Sequence, residues 1–196
     1  APPKSPKLFR IPPVGYDQPF PGTEGIYFVD MIDMYNGPFD RYVWRLVGKR
    51  ELYLPYNAYR LSDGRQSYEE QLGSEFFNPE HARYELHRVW VVDATLKAGA
   101  RHLYKRRTFY VDEDSWQILV VDQYDNRDNL WRVSEGFAIN YYNLPTLWTT
   151  LEVHTDLQAG RYLAFGLYNE ASPYNFNVEV SEEDFTPSAL RRAGRR

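Results

Sequence analysis

The 196-residue chain contains no cysteine. That excludes disulfides, thiolate catalysis and zinc ribbons, and it fits a compartment where stray thiols are a liability, such as the periplasm. Histidine is scarce, with four residues, and none of them stands in an H-E-x-x-H pair. A G-x-S-x-G elbow and a glycine-rich phosphate loop are both missing. No stretch reads as a signal peptide or a membrane span. Positive charge is not in excess either: the net charge is -4, so nucleic acid is not an expected partner. The one basic cluster, "RRAGRR" at 191–196, reads as a solvated terminus. Against an anionic lipid surface so short a cluster would add only about 1 kcal/mol per charge.

Aromatic residues, by contrast, are plentiful, at 17% of the chain with 17 Tyr, 11 Phe and 5 Trp. Aromatic side chains favour pleated, half-buried surfaces, so the composition points to β structure. The length suits one domain with a sizeable core.

Residues 1–23 carry Pro2, Pro3, Pro6, Pro12, Pro13, Pro19 and Pro21, which forbids a helix or a central strand. They read as an extended arm before a single domain over 24–196. The opening "APPKSPKLF" looks like sequence from which an upstream part, including any signal peptide, has been removed. "GIYFVDMIDMY" (25–35) is apolar on both parities and reads as a strand covered on both faces. "RYVWRLVGKRELYLPY" (41–56) reads as a second strand, with Tyr42, Trp44 and Leu46 on one face and Gly48 marking a bend or bulge. Residues 62–85 read as one or two short helices, with Asn78-Pro79 as an N-cap and first helical position. Six strands are then expected at 86–96, 101–111, 115–125, 130–142, 147–157 and 161–168. The joining pieces "KAGA", "DED", "NRDN", "LPT" and "QAG" are short enough to make an antiparallel meander. "FTPSALRRAG" ends the chain as a helix, with Thr186 capping, Pro187 first and Gly194 stopping it.

Parity assigns the faces. Odd positions of 130–142 are Trp131, Val133, Phe137, Ile139 and Tyr141, interrupted by Glu135, while Arg132, Ser134, Gly136, Ala138 and Asn140 are even. In 147–157 the odd positions include Leu147, Leu151, Val153 and Leu157, against even Glu152, His154 and Asp156. The late strands are therefore expected to have one apolar and one wet face, with His154 and Asp156 exposed. Glu135 on the apolar face needs a partner, for which Arg88 or Arg106 is the expectation, or a raised pKa. The five tryptophans (Trp44, Trp90, Trp116, Trp131 and Trp148) are expected mostly to fill the core.

"YVDEDSW" (110–116) poses the question of an acidic site against a turn. Asp112, Glu113, Asp114 and Ser115 fall where a reversal is needed, and a calcium loop would require a ligand where Trp116 stands, so a hairpin turn is the reading. Asp125, Asp128 and Asn129 in "DQYDNRDN" likewise read as a polar hairpin loop rather than a weak cation site. No metal or cofactor is expected.

"ARYELHRVWVVDATLKAGARHLYKRRTFYVDEDSWQILVVDQYDNRDNLWRVSE" (82–135), "YNLPTLWTTLEVHTDLQAGRYLAFGLYNE" (142–170) and "FTPSALRRAGRR" resemble domain-of-unknown-function family 1329 of Gram-negative bacteria, described as outer-membrane lipoprotein-sorting-like. The resemblance runs from around Trp44 to Arg196. It implies a mainly β, LolA/LolB-like fold: a strongly curved antiparallel meander, a half-open barrel, with a few short helices and an apolar cavity. It also implies a periplasmic protein whose relatives are longer at the N-terminus, so that this chain looks like the C-terminal part. No catalytic residues carry over. The resulting expectation is a non-enzymatic binder or carrier of a lipid or other hydrophobic ligand. The apolar face of Trp131, Val133, Phe137, Ile139, Tyr141, Leu151 and Val153 would take the cargo, with Glu135 as a headgroup contact. The alternatives are an envelope scaffold that packs on a protein partner, and a carbohydrate-binding β-domain, which would need exposed coplanar aromatics beside carboxylates.

Overall fold

A computed structural model describes residues 15–172 and 174–194. Most of the proline-rich arm (1–14) and the last two residues of the basic tail lie outside the described residues. Residues 15–172 belong to one compact unit and 174–194 to a second.

The first unit is built on seven strands: β1 (Tyr42–Pro55), β2 (Tyr84–Leu96), β3 (Arg106–Asp112), β4 (Ile118–Tyr124), β5 (Leu130–Tyr141), β6 (Thr146–Asp156) and β7 (Arg161–Phe165). They pair antiparallel in strict sequence order, β1 to β7. The meander follows from the short polar reversals, because links this short join only antiparallel neighbours. Gly48 sits at a register shift between Leu46 and Gly48 in β1, with φ +141°, the bulge its place in the sequence indicates.

The expected half-open barrel does not form. Among the described residues the sheet is open, with β1 and β7 as unpaired edges, and it is neither closed nor strongly curled. The physical reason lies in the chain segments that cover it. An amphipathic sheet must curl or be covered, and here each face has its own cover. Gly136 of β5 faces Met34, and Arg132 reaches the carbonyls of Gly25 and Ile26. The neighbouring Phe137 instead packs under Ala58 and Leu61. Successive strand residues point to opposite faces, so residues 25–35 and 58–82 lie on opposite sides of β5.

The 25–35 segment is a correction of a different kind. It is not a strand: Val29–Met34 is a 3-10 helix, interrupted by left-handed backbone at Asp33 and extended backbone at Ile32. Its burial was legible, since Ile26, Tyr27, Phe28, Asp30, Met31 and Met34 are all buried. The second cover comprises 3-10 turns at Tyr59–Ser62 and Pro79–His81 and α1 (Tyr68–Gln71). Ser67 and Glu70 form a capping box at the start of α1, and Asn78 caps Pro79–His81 as anticipated. In the second unit, α2 (Pro187–Ala193) has Thr186 Oγ1 accepting from the Ala189 N–H at 3.2 Å and ends at Gly194. Among the described residues no helix is long and apolar enough to cross a membrane.

Candidate ligand-binding site

The β5–β6–β7 face carries an apolar layer. Phe137 pairs with Leu151 and Val153 with Ala164 across the ladders. Phe137, Leu151 and Val153 cluster with Ala58 and Leu61 of the cover, edged by Phe77, Ala82, Tyr162 and Leu167. The Phe77 and Phe137 rings lie 5.4 Å apart. The layer is filled by protein, with Phe137 at 0% exposure and Leu151 and Val153 at 2% each. Polar bonds fasten this cover along its length. The Ala58 N–H donates to the Ala138 carbonyl at 3.0 Å, the Tyr59 hydroxyl to the Asn140 carbonyl at 2.6 Å and the Tyr162 hydroxyl to the Gly73 carbonyl at 2.8 Å, and Ser62 Oγ meets Thr150 Oγ1 at 2.8 Å.

Glu135 lies at the margin of this layer, one place along the same face from Phe137. Neither expected arginine reaches it. Arg88 is taken by Glu113, at 2.7 Å, and the Arg106 guanidinium stacks on Tyr124, 3.4 Å from the ring centre. The Tyr84 hydroxyl donates to Glu135 Oε1 instead, at 2.8 Å, while the Tyr84 ring meets Phe137 edge-on at 6.0 Å. Burial pushes the Glu135 carboxyl above the ordinary glutamate range, against the smaller opposing pull of the Tyr84 hydrogen bond.

The other face residues do not join the cluster. Trp131 turns towards the opposite cover, where its Nε1–H donates to Asp156 Oδ1 at 3.0 Å and Arg132 sits 4.3 Å over its ring. Val133 is half-buried between its ladder partners Asp122 and Thr155. Ile139 is buried and paired with Trp148, and the Tyr141 hydroxyl is hydrogen-bonded to Tyr168 at 2.9 Å.

The expected wet face is buried. Arg132, Ser134, Glu152, His154 and Asp156 are each at most 5% exposed. They are buried because they satisfy one another under the 25–35 cover. Arg132 Nε donates to Asp156 Oδ2 at 3.0 Å. Ser134 Oγ meets His154 Nδ1 at 2.7 Å and accepts from Gln123 Nε2 at 2.9 Å, and His154 Nε2 meets Glu152 at 3.2 Å. A second buried knot joins Arg107 to Asp30, with His102 Nε2 3.0 Å from the same carboxylate. Burial pushes the Asp30 carboxyl up, but the His102 hydrogen bond and the Arg107 charge outweigh it, and the net shift is downward. Burial holds the His102 imidazole below its usual value, against the pull of Asp30. The sequence carried a signal for this layer: Arg132 and Asp156, and Ser134 and His154, are direct ladder partners of complementary chemistry. Ser134, His154 and Glu152 have the connectivity of a serine–histidine–acid relay. With Tyr27 packed on the His154 ring at 4.8 Å and all three residues buried, no substrate reaches the hydroxyl.

Comparison with known proteins places the chain. Residues 7–191 match the model of the family described as protein of unknown function (DUF1329). The chain belongs to this family. An uncharacterized protein of Pseudomonas aeruginosa is 50% identical over 189 residues, an alignment that covers 96% of this chain and 42% of that relative. The DUF1329 chain thus spans less than half the length of the curated relative it matches. Among solved structures, it resembles a domain from Vibrio parahaemolyticus named for outer membrane lipoprotein sorting, with a TM-score of 0.50 and 14% identity over 90% of this chain and 58% of that one. A DUF1329 family protein from Desulfovibrio piger matches with a TM-score of 0.50 and 16% identity, over 96% of this chain and 62% of that one. At such identities these two likenesses speak for the fold alone.

In this DUF1329 chain the acidic stretch is a hairpin connection between β3 and β4. Asp112 Oδ2 accepts from the Ser115 N–H at 2.9 Å and the Ser115 hydroxyl at 2.6 Å, while Oδ1 meets His87 Nδ1 at 2.9 Å. His87, Asp112 and Asp114 bring one ligand atom each within 4.8 Å of one another, but the Asp112 carboxylate is already committed on both oxygens. Asp125 likewise spends Oδ1 on the N–H groups of Arg127 and Asn129, at 2.8 and 2.9 Å, as a turn residue does. The core reading of the tryptophans holds in part: Trp44 and Trp131 pack against buried clusters and Trp90 is half-buried, whereas Trp148 and Trp116 are 42% and 70% exposed.

Proposed function

We propose that this chain is a non-catalytic binding module of the cell envelope, a carrier that holds a lipid or other hydrophobic cargo between the β5–β6 face and the 58–82 cover. One observation carries the reading. The apolar layer of Phe137, Leu151 and Val153 is roofed by helical pieces of four, four and three residues rather than by a packed helix. Pieces this short have no stability of their own. A cover so built can lift away and let an acyl chain take its place. Each apolar Å² transferred from water would contribute about 25 cal/mol. Glu135, whose carboxyl is pushed by burial above the ordinary glutamate range, stands at the margin of the layer as a headgroup contact. The fold likeness to a domain named for lipoprotein sorting supports the carrier class, and the lack of cysteine supports a periplasmic setting.

A second reading rests on β1. Its free edge is 14 residues long and exposes Val43, Leu46 and Tyr53 at 56, 61 and 65%. Such an edge is a template for strand addition by an envelope protein partner, which would make the chain a scaffold.

A cross-link separates the two. Ser62 Oγ and Thr150 Oγ1 lie 2.8 Å apart, and the chain has no other thiol, so Ser62→Cys with Thr150→Cys pins the cover to β6. Uptake of a fluorescent fatty acid is expected in the reduced form and lost in the oxidised one. Equal uptake in both forms overturns cargo entry beneath the cover. No uptake in either form transfers the function to the β1 edge.

A further inference from the structure

Trp116 has no folding reason to be a tryptophan. It sits in the β3–β4 connection with φ +61°, in the left-handed region where a bulky side chain is crowded and glycine or asparagine is at ease. The turn is held by the side chains of Asp112 and Ser115, and Trp116 contributes only its backbone N–H, to the Asp112 carbonyl at 3.0 Å. The indole neither fills the core nor caps the turn. Strained positions that fold without benefit mark sites of function.

The ring does line a cavity of about 300 Å³, shared with Asp33, Gln117, Ile118, Trp148 and Thr149. Trp148 is itself 42% exposed. Asp33 is the second strained residue of the wall, with φ +51°. Its carboxylate is exposed and makes neither a hydrogen bond nor an ion pair with the described residues. Thr149 Oγ1 donates to Gln117 Oε1 at 3.2 Å, which fixes the wall between the two indoles. Among the described residues, neither lysine nor arginine lines the space.

Indole faces are electron-rich and attract cations, and an unpaired carboxylate adds a full negative charge to the same cavity. An anion would meet the Asp33 carboxylate and the electron-rich indole faces. We propose that this cavity is a binding site for a small organic cation of the alkylammonium class, held between Trp116 and Trp148 with Asp33 as its counter-charge. The site is separate from the apolar layer beneath the 58–82 cover and does not depend on the carrier reading.

Choline chloride is the probe, followed by NMR of the indole Nε1–H signals of the full chain. The signals of Trp116 and Trp148 are expected to shift on titration while those of Trp44, Trp90 and Trp131 stay in place. Asp33→Asn should weaken choline binding roughly threefold, the scale of an exposed ion pair. The neutral isostere 3,3-dimethylbutanol should bind weaker by a similar factor. Trp116→Gly gives the sharper contrast, because it relieves the left-handed strain. That variant should melt no lower than the parent yet lose choline binding. Undiminished binding by Trp116→Gly, equal binding of the neutral isostere, the same shifts with glucose or maltose, or no shift with choline would each overturn the proposal.

Discussion

Arg132 shows how much structure one buried side chain can organise. Its guanidinium meets Asp156 at 3.0 Å, and Nη1 also reaches the Gly25 and Ile26 carbonyls at 2.8 and 3.1 Å and the Tyr104 hydroxyl at 3.1 Å. Through these bonds it ties the 25–35 cover to β5. Replacing an entire buried ion pair by apolar groups is often neutral, whereas removing one partner strands the other. The two single removals should differ. Arg132→Met leaves Asp156 with donors on Oδ1, from Trp131 Nε1 at 3.0 Å and the Ala159 N–H at 2.9 Å. Asp156→Ala strips those donors as well and leaves a cation under the cover. Urea unfolding should give a loss of about 3 kcal/mol for Arg132→Met and up to about 5 kcal/mol for Asp156→Ala. The double variant should lose less than the sum. Additive losses would show that the two side chains act independently.

Among the elements, those that local pattern specifies were readable and those that depend on tertiary partners were not. β5 and β6 appear within a residue of their expected bounds because turn residues flank an alternating pattern. Phe137, Leu151 and Val153 were placed together by parity alone. The wet face was misread because polarity counts as exposure only when side chains are taken one at a time, and Arg132 with Asp156, or Ser134 with His154, bury as pairs. The 25–35 segment was misread because apolar residues on both parities fit a doubly covered strand and an irregular buried cover equally well. Asp33 and Met34, at φ +51° and +67°, decide between them, and nothing in their identities announces a left-handed backbone. The curl is what the family resemblance implies, and the buried 25–35 segment covers the face that a curl would otherwise have to enclose. The element that the sequence did mark, the apolar layer, has a stability consequence. Phe137 is fully buried between β6 and the cover, so Phe137→Ala should cost about 3–5 kcal/mol in chemical denaturation. Native-state hydrogen exchange should also rise first in residues 58–82, the element built of one-turn helical pieces. A uniform rise across the sheet would mean that cover and sheet open as one unit.

Taken as a whole, the first unit is a sheet between two unlike covers, and the contrast is electrostatic. Beneath 25–35 every buried carboxylate has a cationic or hydrogen-bonding partner, whereas Glu135 beside the 58–82 cover has only the Tyr84 hydroxyl. Burial raises its pKa above the ordinary glutamate value of about 4.5, so the folded chain binds a proton there over a range where the unfolded chain has released it. Stability from this group is therefore greatest at acid pH and falls as pH rises from about 4.5 through the raised value. Glu135→Gln keeps an acceptor for Tyr84 and removes the titration. The melting temperatures of parent and variant should nearly coincide at about pH 4 and diverge by about pH 8, with the glutamine form the more stable. The Tyr84 hydroxyl, whose titration Glu135 also raises, stays protonated across this range, so the difference isolates Glu135, and parallel profiles would show that its carboxyl is solvated when charged. The same substitution bears on the carrier reading. Ionisation of Glu135 puts a negative charge beside the apolar layer, so fatty-acid uptake by the parent should weaken over the pH range in which its melting temperature falls below that of the variant. Uptake by Glu135→Gln should stay level over that range. A parent whose uptake is flat across it would place the cargo headgroup away from Glu135.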